Sequence, residues 1–213
     1  MAPHEIDTAD AERSVSSKVG ANSAIVYGPD GEWIGGYRKT NLYETDLTWA
    51  QPGGSHTAIQ QPPRPASVSL VQLQRPMLTV PHVGPGTGFA TFQLPPPLNT
   101  VTLGICMDLN VQPPSMWTIE SGPYELADHC AATRSNLLVL LNAWKDSGRN
   151  EDAKEDWETL NFWSLRLQPL WDDTGRRIQD DSPMGTTTVV VCNRCGDENG
   201  NSNTSYDAVV LQC

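Results

Sequence analysis

The sequence predicts a layered α/β fold, and three stretches carry that prediction. Asn136-Leu-Leu-Val-Leu-Leu141 is an unbroken apolar run of strand length, the pattern of a strand buried on both faces. Immediately before it, Tyr124 to Ser135 is rich in helix-forming residues and is introduced by Ser121 or Pro123. Thr186-Thr-Thr-Val-Val-Val-Cys192 is a strongly β-prone run of β-branched residues ending at a cysteine. Helix followed by buried strand is the pattern of helices laid on a sheet.

The elements follow in order. Residues 1 to 20 are acidic, Ser- and Ala-rich and without apolar periodicity, so they are expected to form a frayed tail. Asn22 to Tyr27 and Trp33 to Arg38 flank Gly28-Pro-Asp-Gly31, whose proline and glycine positions predict a β-hairpin, with Lys39 at the end of its second strand. From Gln51 to about Arg75 the chain turns to Gly, Pro, Ser and Gln. That composition cannot pair as a central strand and reads as a surface insertion near 52–82. Gly84-Pro-Gly-Thr-Gly88 reads as a tight turn into the strand Phe89 to Phe92; no Lys-Ser/Thr follows it, as a phosphate loop would require. The corner Pro95-Pro-Pro97 then introduces the run Val101 to Ile105. Glu151 to Leu170 is expected to be helical, with Trp157, Leu160, Trp163 and Leu167 spaced along one core-facing stripe. Tyr206 to Leu211 closes the chain as a last strand.

The chain has 213 residues, enough for one domain with a sizeable core. Its formal net charge of −11 leaves no basic stripe for phosphates, which argues against a nucleic-acid or anionic-membrane partner. The N-terminus has no charged start followed by an apolar segment, and no run approaches transmembrane length. A cytoplasmic protein is therefore expected. Five cysteines, at 106, 130, 192, 195 and 213, are an odd and scattered set, which fits a reducing compartment rather than a disulfide framework. Cys192-Asn-Arg-Cys195 has zinc-knuckle spacing, but no second ligand pair accompanies it, so no metal or other cofactor is expected.

The chemistry centres on Gly104-Ile-Cys106-Met-Asp108, a buried strand that stops at a thiol. Taken alone, Cys106 reads first as a core cysteine, since free cysteines are among the most buried residues. The alternative is a nucleophile at a strand-to-turn corner, where the N–H of Met107 points at a reacting carbonyl. A thiol near pKa 8.5 needs a neighbouring cation to ionise at pH 7, and Lys39 can supply one.

Three segments in chain order add to this reading: Asn22-Ser23 ahead of the hairpin, Tyr37-Arg-Lys39-Thr-Asn-Leu42, and Gly104-Ile-Cys106-Met-Asp108. Together they resemble the nitrilase, or carbon–nitrogen hydrolase, superfamily. Met107-Asp-Leu-Asn110, Ala143-Trp144, Phe162 to Pro169 and Val191 to Glu198 are similar to segments of its fungal protein N-terminal amidase branch. The resemblance covers about residues 20 to 200, with 52–82 outside it. It implies a partial αββα sandwich, with a hydrolase domain over 21–213, and a Glu-Lys-Cys site. In that site Cys106 would be the nucleophile and Lys39, with the Met107 N–H, the oxyanion donor. Glu44 would match a second family glutamate, with Asp46 the other candidate. Asp108, Glu120 and Glu125 are the carboxylates considered for a substrate ammonium. The implied reaction releases ammonia from an N-terminal Asn or Gln through a thioester. The alternatives are a small-amide or nitrile substrate, or a non-catalytic relative that at most binds. Protein or peptide N-termini are the implied partners, and a homo-oligomer is allowed. The family's general-base glutamate lies on an early strand, and the residues before the hairpin offer no match to it; Glu5 resembles a later segment. The chain is accordingly expected to be short at its N-terminus.

Overall fold

The computed structural model describes residues 20–53, 82–83, 88–145, 147, 156–171, 186–194 and 209–211. The expected tail and most of the 52–82 insertion lie outside these residues, as do Cys195 and Cys213.

Strands β1 (Ser23–Tyr27) and β2 (Trp33–Arg38) form the expected antiparallel hairpin, with Tyr37 opposite Ala24 and Trp33 opposite Tyr27. Gly31, at φ 71°, supplies the left-handed residue that this turn needs. Six further strands make the main sheet in sequential order: β3 (His82–Val83), β4 (Ala90–Gln93), β5 (Thr100–Ile105), β6 (Leu137–Asn142), β7 (Thr188–Asn193) and β8 (Val209–Leu211). Its centre is parallel, β5 with β6 and β6 with β7, and its flanking pairs are antiparallel. Helix α1 (Glu125–Ala132) makes the crossover between β5 and β6, and helix α2 (Trp157–Arg166) lies between β6 and β7.

Strand periodicity assigns the two faces of the sheet. Gly104 sits under α1: a Cβ there would lie 2.8 Å from side-chain carbons of both Leu126 and Leu140. The face carrying Gly104, Leu138, Leu140, Val189 and Val191 therefore packs against the helices, and all four of those apolar side chains are buried. On the other face Gly35 of the hairpin approaches Phe92, so β1 and β2 cover Phe92, Val101 and Leu103. The result is helix layer, sheet and hairpin. This is the α/β layering that the sequence predicts, with one refinement. Leu137, Val139 and Leu141 on the hairpin side of β6 are only half-buried, because the two-stranded hairpin is too narrow to cover them.

Two corrections concern α2. Its described helix starts at Trp157, which is 67% exposed, while Trp163 and Leu167 are buried. At 3.6 residues per turn Trp157 lies about 120° around the helix from Trp163, at the edge of the apolar stripe rather than within it. Asp156 caps the start by accepting the Thr159 N–H, and the helix gives way at Leu167 to a 3-10 turn, Gln168–Leu170, that packs on α1. The buried face of α2 also includes Arg166, fully enclosed.

Candidate active site

The site is built where the parallel strands end, the edge at which open α/β sheets generally bind ligands. Cys106 follows the last residue of β5 and opens a 3-10 turn, Cys106–Leu109. Its φ is 48°, a left-handed conformation rare for a residue with a side chain and typical of strained, functional corners. Met107 is the next residue of that turn, so its N–H is one of the donors that a helix start leaves without an intrahelical acceptor.

Asp108 ties this corner to the end of the hairpin. Its Oδ1 accepts the backbone N–H groups of Thr40 (3.0 Å) and Asn41 (2.8 Å). Its Oδ2 accepts the Tyr37 hydroxyl and the Ile105 N–H, both at 2.7 Å. Asn41 adds a bond from Nδ2 to the Asn110 carbonyl. Lys39, Thr40 and Asn41 are thereby fixed against the elbow by a fully enclosed carboxyl, which burial pushes up to about 6 against the pull of the Asn41, Tyr37 and Ile105 donors and the charge of Lys39. The Tyr37 hydroxyl is raised well above its ordinary value by burial and by that carboxyl.

Lys39 is 2% exposed, and its Nζ lies 2.5 Å from Asp46 Oδ2. Asp46 also accepts the Tyr43 N–H at 3.1 Å and the Asn22 Nδ2 at 3.2 Å. These donors hold its carboxyl below the usual range even though burial pushes the other way. Asn22, the residue ahead of the hairpin, also accepts the Lys39 N–H through its carbonyl at 2.8 Å. The structure thus brings Lys39 together with Asp46, the other candidate, and leaves Glu44 exposed two residues away.

The thiol differs from expectation in direction. Burial raises Cys106 above its ordinary value. An N–H bond from Ala143 and the charge of Lys39 lower it, the charges of Asp108 and Asp46 raise it, and burial prevails. A lysine considered alone would lower the thiol. In the fold that lysine is already paired, which blunts its effect on the sulfur.

Asp108 and Glu125 do not come together as a substrate-facing pair. Both oxygens of Asp108 are taken by the clamp just described, and Glu125 lies half-buried at the start of α1, where its charge reaches Arg166. Among the described residues, no group of three or more His, Cys, Asp or Glu side chains could hold a metal, and no helix is long and apolar enough to cross a membrane.

Three features were not picked out from sequence. Asn142, at the end of β6, accepts the Cys106 N–H through Oδ1 at 3.2 Å. Asn193, opposite it at the end of β7, bonds both backbone groups of Trp144. Arg166 donates to the carbonyls of Leu109 (3.0 Å), Thr118 (3.3 Å) and Pro123 (2.7 Å) and lies over the rings of Trp117 and Tyr124. It pins the segment after the elbow onto the helices. The Phe162 to Pro169 segment singled out by resemblance contains Arg166, but a lone arginine carries no sign of its burial.

No protein-family model matches the chain. It is 27% identical over 147 residues to the protein N-terminal amidase of Saccharomyces cerevisiae, an alignment that takes in 68% of this chain and 26% of that protein. It is 25% identical over 191 residues to the protein N-terminal amidase of Schizosaccharomyces pombe, with 84% of this chain and 51% of that protein aligned. The crystal structure of an N-terminal amidase superposes with a TM-score of 0.54 at 15% identity, covering 89% of this chain and 66% of the other. The two share a fold over most of this chain. A second N-terminal amidase structure, with an Asn-Glu-Ala peptide, superposes with the same TM-score at 16% identity and the same coverage. The chain thus resembles the protein N-terminal amidases and spans about half the length, or less, of the curated relatives it matches.

Proposed function

We propose that this chain forms the nucleophile-bearing part of a nitrilase-type amidohydrolase acting on the side-chain amide of an N-terminal Asn or Gln. The observation that carries the reading is Cys106 in a left-handed elbow, clamped by Asp108 to the loop that buries the Lys39–Asp46 pair. Similarity to proteins named N-terminal amidases, one of them solved with an Asn-led peptide, supports the substrate class.

In this reaction the Cys106 sulfur attacks the amide carbonyl carbon and loses its proton to a base. The tetrahedral oxyanion is held by the Lys39 ammonium and the Met107 N–H, a kind of donor worth about 2.7–4 kcal/mol. The C–N bond then breaks, the nitrogen takes up a proton and leaves as ammonia, and a thioester remains. Water adds to the thioester, releases the acid and restores the thiol. Because burial holds the sulfur as a thiol, a base is required for attack. Asp46 and Asp108 are the carboxylates whose charge reaches the sulfur among the described residues, and both are fully engaged. We assign the base to neither. Asp46 holds the Lys39 Nζ in place, and it is the other candidate beside Glu44 for the second family carboxylate. Nothing in the geometry favours Asp108 or Glu125 as a partner for the substrate ammonium.

The test is ammonia release from peptides beginning with Asn or Gln, run beside small free amides. Turnover of the peptides that Cys106→Ser abolishes is the expected result. Turnover of the small amides alone would reassign the substrate, and no release from any amide by the folded chain would refute the reading.

A further inference from the structure

We propose that Asn142, at the end of β6, is a positioning residue that caps the nucleophile corner from the neighbouring strand and holds Cys106 in its left-handed conformation. The inference rests on the role proposed above for Cys106, but its first readout does not depend on turnover.

β5 and β6 pair in parallel register as far as Ile105 opposite Leu141. At the next residue β5 leaves the sheet as the 3-10 turn Cys106–Leu109, and the Cys106 N–H is the first of the donors that such a turn leaves without a partner. The residue just ahead of a turn often supplies an acceptor from its side chain, but here that residue is Ile105, which has none. The acceptor comes instead from one strand away. Asn142 Oδ1 takes the Cys106 N–H at 3.2 Å. Asn142 is itself buried, and its carbonyl accepts the Arg194 N–H at 2.8 Å, which ties its backbone to the end of β7.

The bond bears on the φ of Cys106. That angle is the rotation between the peptide before Cys106 and the residues after it. Asn142 holds the first piece by its N–H, and Asp108 holds the second through its bonds to Tyr37, Thr40 and Asn41. With both pieces pinned, φ stays at 48°, a conformation that a side chain otherwise disfavours. The same rotation sets the direction of the Cα–Cβ bond, which carries the sulfur, and the plane of the peptide that carries the Met107 N–H. One hydrogen bond therefore aligns the nucleophile and the proposed oxyanion donor together.

The carboxamide is held in one sense only, because turned over it would face the Cys106 N–H with an N–H of its own. In the sense observed, its Nδ2 is buried and meets no hydrogen-bond acceptor among the described residues. A buried donor without a partner is unfavourable, and a leucine of similar size would avoid it. What the asparagine supplies here is thus the acceptor for the elbow. Asn142→Leu exchanges one unpaired N–H for another, so the fold as a whole should tolerate it while the corner is released.

Hydrogen exchange of the cysteine amides in the 15N-cysteine-labelled chain reads this directly. Cys106 reports the corner, and Cys130, inside α1, reports the helix layer packed on the same sheet. In Asn142→Leu and Asn142→Ala the Cys106 amide should exchange about tenfold faster, with that of Cys130 unchanged. Asn142→Asp keeps an acceptor oxygen in either protonation state and should restore the slow exchange. A residue that merely supports the fold would speed both amides alike. That result overturns the proposal, as does a Cys106 amide that fails to speed up in whichever of the Leu and Ala variants retains the circular dichroism of the unchanged protein. On an Asn-led peptide, Asn142→Leu should lower kcat about tenfold with KM little changed, since the loss falls on alignment in the transition state. An unchanged kcat beside a freed amide also overturns it. If the unchanged chain releases no ammonia from any amide, the amidase reading fails, while hydrogen exchange still decides whether Asn142 holds the corner.

Discussion

The carboxyl of Asp108 offers a test in which sign as well as size is fixed by structure. Burial raises it from an ordinary 3.8 to about 6, so the folded chain binds a proton there more tightly than the unfolded chain does. Its favourable contribution is therefore fully present below about pH 3.8 and is lost as pH rises through about 6. The interval between 3.8 and about 6, at 1.36 kcal/mol per pH unit, amounts to about 3 kcal/mol. Asp108→Asn removes this titration and alters the clamp. Placed best, the new amide turns its oxygen to Thr40 and Asn41, lets the Tyr37 hydroxyl rotate to accept, and faces the Ile105 N–H with a donor. One stranded buried N–H costs about 1–3 kcal/mol. The variant should thus be less stable by about 1–3 kcal/mol near pH 4. The gap should then close by about 3 kcal/mol towards pH 8, reaching zero or reversing. Urea denaturation of both proteins across that range, read as the midpoint times the slope, measures it. A gap that stays constant, or one that widens as pH rises, would refute the argument, since a widening gap means that the hydrogen-bond donors and the Lys39 charge outweigh burial.

Three further outcomes follow from the same geometry. Asp46→Asn leaves a buried ammonium unpaired and should destabilise the chain by about 3–5 kcal/mol, while removing a negative charge that raises Cys106 and so speeding its alkylation at pH 8. Glu44→Gln, at an exposed position, should stay within about 0.5 kcal/mol of the parent in urea and leave alkylation unchanged. Gly104→Ala would set a methyl carbon 2.8 Å from Leu126 and Leu140, and thermal unfolding should report an overpacking loss of about 1–3 kcal/mol.

The fold was legible where local chemistry and periodicity agree. The turn Gly28-Pro-Asp-Gly31 forces a hairpin whichever way the rest packs, and the β-branched runs at 101–105 and 188–192 form strands because their side chains suit a pleated, buried surface. Unbroken apolarity overstated the case for β6: Leu137, Val139 and Leu141 are apolar enough for a closed core, but coverage depends on how wide the opposing layer is, which one strand's sequence does not encode. Spacing overstated the case for Trp157 in the same way, since small departures from the helical repeat accumulate to a large angle over six residues.

The site was legible as residue types and illegible as pairings. Lys39 and Cys106 stand out because each lies in a motif, but the carboxylate that meets Lys39 is chosen by the path of the loop from Leu42 to Ala50. That path turns Asp46 inward under the Tyr43 N–H and Glu44 out to solvent. Neither carboxylate differs from the other in any local signal. Asn142 and Asn193 are harder still to find, because their meaning comes from strand register: a slip of one residue between β6 and β7 would separate them and turn each to the opposite face. The direction of the Cys106 shift shows the same limit. A lysine near a cysteine predicts a depressed thiol only if both keep their charges free to interact. Folding buries the sulfur and hands the lysine to Asp46, so burial decides the direction of the shift and the lysine's pull is outweighed.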